Sequence, residues 1–196
     1  NIQNAGQTLL ALINDILDMS RIESGKVFFK EESFDFKNFI KDINTVFENQ
    51  AADKHIDYSC VFASKMEPYY IGDVMKIQQI LINIIGNAIK FTSAGGTITH
   101  SVKQLSKPDI LGNVKIQVKI KDTGIGMSEE YLKKAFEAFT RERTSTESGI
   151  QGTGLGLSIV KRTCELLGAD LKVESEVGKG TEFTIIYSLK IASKPE

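Results

Sequence analysis

Residues 73–92, DVMKIQQILINIIGNAIKFT, constrain the fold more than any other segment. Ile77, Ile80, Leu81, Ile84, Ile85 and Ile89 recur at three- and four-residue steps, the period of a helix with one broad apolar stripe. Such a stripe needs cover, so the helix has to lie on a sheet or on other helices. Asn83, Asn87 and Lys90 follow the same spacing and project together from a different face. Two carboxamide oxygens and an ammonium on one face can hold Mg²⁺ together with a phosphate chain, because Mg²⁺ takes hard oxygen ligands and keeps much of its shell as water and phosphate. A solvated polar face explains this helix, taken alone, equally well.

The rest of the chain supplies a sheet for that helix. Strand-like stretches occur at residues 26–32, 56–62, 97–104, 114–121, 171–174 and 182–189. Helical patterns lie between them at 36–53, 129–139 and 156–167, without a regular strand-helix alternation. This order predicts an α+β fold: a two-layer α/β sandwich with a mixed sheet and helices on one face. Residues 140–152, TRERTSTESGIQG, are small and polar with no apolar period, and read as a loop.

Residues 3–24 form a separate amphipathic helix, with Leu9, Leu10, Ile13, Ile16, Leu17 and Ile22 as its stripe and Gly25 as its stop. It has to pack on other helices, in this chain or in a second copy. The chain starts in this helical pattern and without methionine, so a longer parent is expected. The expected division is an appended helix at 1–25, a main domain at 26–192 and a tail at 193–196.

Composition narrows the class. A chain of 196 residues with 41% hydrophobic and 25% charged residues is long enough for one core and reads as globular. A formal charge of -1 argues against nucleic acid as partner, since such proteins concentrate Lys and Arg. Cys60 and Cys164 are far apart with apolar neighbours, so small buried thiols are expected rather than a disulfide or a metal site. No apolar run approaches the ~20 residues of a membrane-spanning helix. The fragment is therefore expected in a reducing cytoplasm with no membrane contact of its own, under a parent that an inner-membrane anchor would suit.

Three glycine segments carry further chemistry. In DTGIGM, residues 122–127, Gly124 and Gly126 let the backbone approach a flat ligand, and Asp122 can accept a hydrogen bond from an exocyclic amine; a plain turn is the alternative. In GTGLGLSIVKRT, residues 152–163, a glycine loop runs straight into a helix, and the N–H groups at the helix start make a place for phosphate oxygens. The Lys of a Walker loop is absent, and the spacing of Gly152, Gly154 and Gly156 is not that of a dinucleotide fingerprint. In GKGTEF, residues 178–183, a turn opens the last strand and Thr181 could reach a ligand.

Taken in order, these segments resemble the catalytic domain of sensor histidine kinases, within the superfamily of gyrase, heat-shock chaperone and mismatch-repair ATPases. Asn83, Asn87 and Lys90 match its N-box, DTGIGM the first glycine box, Phe136 and Phe139 the F-box, GTGLGL the second glycine box and GKGT the last. The resemblance implies a Bergerat fold in which ATP lies between the N-box helix and a lid at residues 128–151. It implies that Asp122 holds the adenine amine, with Gly124, Gly126, Met127 and Thr181 around the base. Asn87 would bind Mg²⁺ with Asn83 assisting, Lys90 would contact phosphate and Phe91 would flank the nucleotide. Gly152, Thr153, Gly154, Leu155 and Gly156 would cradle the phosphates, and Arg141 would meet the terminal one. Phe136 and Phe139 read more simply as core or hinge anchors.

Hydrolytic relatives carry a glutamate where this chain has Asn83, and an amide cannot serve as general base. Slow water attack and transfer to a protein histidine are therefore implied, for which catalysis is alignment and charge stabilisation. That histidine belongs to a dimerisation domain, and neither His55 nor His100 stands in its sequence setting. Residues 3–24 resemble instead the second helix of that domain, which places the acceptor upstream. The implied partners are the acceptor-bearing helix, a response-regulator receiver domain and a second copy of the parent. The rival readings are an ATP hydrolase and a nucleotide-binding signalling module without catalysis.

Overall fold

Two aspartates start the long helices. Asp35 accepts a hydrogen bond from the Asn38 N–H (2.9 Å) and Asp73 from the Lys76 N–H (3.1 Å), each satisfying a helix-start donor that has no partner within the helix. The computed structural model describes residues 29–138, 140 and 154–193. Its strands are β1 (Glu32–Asp35), β2 (Asp57–Phe62), β3 (Tyr69–Gly72), β4 (Thr97–Gln104), β5 (Asn113–Asp122), β6 (Asp170–Glu176) and β7 (Gly180–Ile191). Its helices are α1 (Phe36–Asp53), α2 (Val74–Phe91), α3 (Glu129–Leu132) and α4 (Gly156–Leu167).

The strands form one seven-stranded mixed sheet in the order β1-β3-β7-β5-β4-β2. β2 and β4 are parallel and the other pairs antiparallel. β5 pairs along β7 from Asn113↔Lys190 to Asp122↔Thr181. The other edge of β7 is shared: β3 takes its C-terminal end and β6 its N-terminal half. Alternate residues of the two central strands, Val114, Ile116, Val118 and Ile120 with Phe183, Ile185, Tyr187 and Leu189, are buried, while Lys115 and Lys121 on the opposite face are exposed. The apolar stripes of α1, α2 and α4 close over the buried face, giving the expected two layers.

The elements differ from expectation in three places. The first described strand lies at Glu32–Asp35; of the stretch expected at 26–32, residues 29–31 are not strand and 26–28 lie outside the described residues, and the strand runs directly into α1. Tyr69–Gly72, which sequence reading missed, is a strand of four residues squeezed between Pro68 and the Asp73 cap, too short to show a period of its own. The helix expected over 129–139 is a single turn, Glu129–Leu132, followed by turns up to residue 138. The helix at 3–24 lies outside the described residues. Among the described residues no helix is long and apolar enough to cross a membrane. Cys164 is buried as expected; Cys60 is half-buried.

Candidate functional site

The polar face of α2 meets the start of α4. Asn83, Asn87 and Lys90 are half-buried beside the fully buried Ile84, Ile85 and Ala88. The Asn83 Nδ2 donates to the Gln79 carbonyl (2.9 Å), which fixes the amide orientation and turns Oδ1 away from the helix backbone. A Cβ at Gly156 would stand 2.9 Å from that Oδ1 and 3.8 Å from Asn87 Nδ2, so α4 begins directly against both carboxamides. Gly154 has φ 74°, and the buried Leu155 at the helix cap provides no capping side chain. The donors of the first turn of α4 are thus led up to the amide face of α2, where anions bind favourably. The Lys90 ammonium sits 4.9 Å from the centre of the Phe91 ring.

Asp122 closes β5 at the other end of the site. It is 6% exposed, and its Oδ1 accepts from the N–H groups of Gly124 (2.8 Å) and Thr181 (3.3 Å). Burial pushes its carboxyl above the usual aspartate range, and those two N–H groups hold it partly down. The turn after it is tied to α2 by the Ile125 N–H on the Phe91 carbonyl (3.2 Å) and to the β6–β7 turn by the Gly178 N–H on the Ile125 carbonyl (2.8 Å).

The glycines of this turn, and Gly180 across from it at the start of β7, are required by the fold itself. A Cβ at Gly124 would lie 2.5 Å from the Phe91 carbonyl oxygen. Gly126, at φ 69°, would meet the Glu176 carbonyl oxygen at 2.0 Å. Gly180, at φ 100°, would meet that of Asp122 at the same distance. Protein backbone, not open space, fills the room a side chain would need.

Beside this turn, the Met127 N–H donates to Ser175 Oγ (2.8 Å), which in turn donates to the Gly180 carbonyl and lies 2.8 Å from Thr181 Oγ1. Ser175 was invisible to motif reading; its one sequence signal is a small polar residue at an inward position of β6. Met127 and Phe136 pack against the core, the latter as the expected anchor. Phe139, Arg141, Gly152, Thr153 and half of the loop expected as a lid lie outside the described residues.

Among the described residues no group of three or more His, Cys, Asp or Glu side chains could hold a metal ion. The groups whose chemistry could hold Mg²⁺ here are the carboxamides of Asn83, whose Oδ1 is directed at the start of α4, and Asn87, one helical turn on.

Neither histidine is part of this arrangement. His100 is fully buried in β4, its Nδ1 2.8 Å from Asn44 Oδ1, an oxygen that also accepts from the Tyr58 hydroxyl (2.5 Å). Because Asn44 accepts there, Nδ1 carries the proton, and burial lowers the imidazole to about 4. His55 stands in a left-handed turn (φ 55°) after α1.

A family model described as histidine kinase-, DNA gyrase B-, and HSP90-like ATPase matches residues 72–191, from the end of β3 to the end of β7. The sensor histidine kinase GacS of Pseudomonas protegens is 34% identical over 188 residues, covering 96% of this chain and 20% of GacS. The signal transduction histidine-protein kinase BarA of Escherichia coli is 34% identical over 192 residues, covering 97% of this chain and 20% of BarA. The chain therefore spans about a fifth of the length of these curated relatives. The crystal structure of full-length ShkA in complex with AMPPNP superposes with a TM-score of 0.77 at 28% identity, over 98% of this chain and 38% of that one. With the amide-bearing helix, the buried aspartate and the glycine turns in one site, the chain belongs to the histidine kinase-, DNA gyrase B- and HSP90-like ATPases, as an ATP-binding catalytic domain of the sensor histidine kinase kind.

Proposed function

We propose that this domain binds Mg·ATP between α2 and the start of α4 and passes the γ-phosphoryl group to a histidine on a dimerisation-domain helix, for onward transfer to a response-regulator aspartate. The observation that carries the reading is the seating of Gly156 against Asn83 Oδ1 and Asn87, which joins the amide face to a helix start. The Asp122 carboxylate accepts the adenine amine, Phe91 and Met127 flank the base, and Thr181 holds Asp122 through its N–H. Lys90 and the backbone around Gly154, Leu155 and Gly156 orient the phosphates, with Gly152, Thr153 and Arg141 completing the set. Asn83 and Asn87 would hold Mg²⁺, which when bound neutralises phosphate charge.

Asn83 decides between transfer and hydrolysis. One of its two N–H donors bonds the Gln79 carbonyl, and its amide oxygen cannot take a proton from water at neutral pH. Without a base for water, an aligned imidazole from outside the site is the better nucleophile. His100 is sealed in the sheet, and His55 stands in a left-handed turn without the helical sequence setting of the family's acceptor, so the reading assigns the acceptor to neither. Residues 1–25 are assigned to the second helix of the dimerisation domain, 26–192 to the catalytic domain and 193–196 to a tail. The reading places the domain in the cytoplasm, where ATP and the receiver domain are.

Incubation with γ-labelled ATP and magnesium tests this. The chain alone should take up no stable label and release little phosphate, and adding a separate fragment that carries the acceptor helix should produce labelled fragment. Rapid phosphate release would support the hydrolase reading instead. Stable label on the chain alone would contradict the assignment of the acceptor.

A further inference from the structure

Lys54 closes α1, and its ammonium reaches the far end of α2. Its Nζ donates to the carbonyls of Ile89 (2.7 Å), Lys90 (3.3 Å) and Thr92 (3.4 Å). The remaining carbonyls of this helix end are taken as well: Ala88 accepts from the Thr92 N–H, and Phe91 from the Ile125 N–H in the turn after Asp122. A helix C-terminus carries partial negative charge and carbonyls without partners inside the helix, so a single ammonium across three of them satisfies both needs. Lys54 as a residue is exposed, but the backbone on either side of it is held in place. The Ile56 N–H bonds back to the Ala51 carbonyl, and the Gly95 N–H bonds to the carbonyl of His55, whose left-handed backbone turns the chain toward β2.

Lys90 supplies one of the carbonyls that Lys54 gathers, and Phe91 lies between it and Thr92, which supplies another. We infer that Lys54 is a positioning residue for nucleotide binding: it fixes the last turn of α2 so that the Lys90 ammonium stands at the phosphate side of the site. This rests on the nucleotide reading proposed above. No feature of the Lys54 segment signals the role, because its partners lie 35 to 38 residues away in the chain.

The test is AMPPNP binding in magnesium by the whole chain, measured by calorimetry. Lys54→Met should weaken binding roughly three- to tenfold, the scale of a lost charge-assisted hydrogen-bond set at a helix end. Lys54→Gln, which keeps a donor without the charge, should fall between it and the wild type. In a Lys90→Met background the Lys54→Met change should lose most of its effect, because it acts through Lys90. Asp35→Ala, which removes the N-cap of α1 at its opposite end, should lower the melting temperature and leave affinity unchanged. Wild-type affinity in both Lys54 variants, full additivity with Lys90→Met, or equal weakening by Asp35→Ala would each overturn the inference while leaving the nucleotide site in place. Absence of saturable binding by the wild type would remove the nucleotide reading itself.

Discussion

Asp122 is the most exposed to test of the single residues. A carboxylate only 6% accessible, held by two backbone N–H groups, is costly to keep in a fold unless its remaining acceptor capacity is used. We expect Asp122→Asn to lower AMPPNP affinity by roughly tenfold or more, the scale of losing a hydrogen bond to a charged group. The asparagine oxygen can still accept from Gly124 and Thr181, so the unfolding midpoint in urea should move much less than the affinity. Affinity unchanged by this substitution would remove the adenine assignment. The aspartate itself was legible because it precedes a glycine pair at a strand end. Their packing role was not legible: the clashes that forbid a side chain at Gly124, Gly126 and Gly180 come from Phe91, Glu176 and Asp122, each brought there by a different connection.

At the level of elements, α2 unites most of the site, and both its ends are held from outside. Asp73 caps the start by accepting the Lys76 N–H on Oδ1 and ties it to the segment before β1 by accepting the Lys30 N–H on Oδ2, both at 3.1 Å. Asp73→Ala is expected to cost about 2 kcal/mol of stability, a full helix cap plus a second backbone hydrogen bond, read as a lower urea midpoint with unchanged slope. A loss below the scatter of such measurements would mean that water replaces both bonds. The long helices could be read to within a residue of their bounds, because eighteen residues of 3.6-residue period average out local noise. β3 and α3, of four residues each, could not, since an element that short exists only through its tertiary partners.

The whole molecule shows its dependence on tertiary contact at His100, where α1, β2 and β4 meet around Asn44 and Tyr58. The folded imidazole titrates at about 4 against 6.5 when solvated, so between those values the unfolded chain takes up a proton that the native chain refuses. Its contribution is complete above the solvated value and is lost progressively as pH falls toward the folded one. From about pH 7 to about pH 5 this should remove about 2 kcal/mol of stability. Chemical denaturation should show a smaller loss over the same range for His100→Gln, which does not titrate. Equal losses in both proteins would mean that His100 is hydrated in the native state.

The sequence by itself determined α1, α2 and α4, most strands, the two-layer α+β class and the residue types of the candidate site, because periodicity and glycine placement are local properties that survive without a partner. Only the tertiary structure decided which edge of β7 receives β3 and β6, that Gly156 abuts Asn83, that Lys54 reaches the last carbonyls of α2, and that Ser175 ties Met127 to the start of β7. Those are contacts between segments distant in the chain, and their geometry is set by packing the whole core rather than by any stretch of residues.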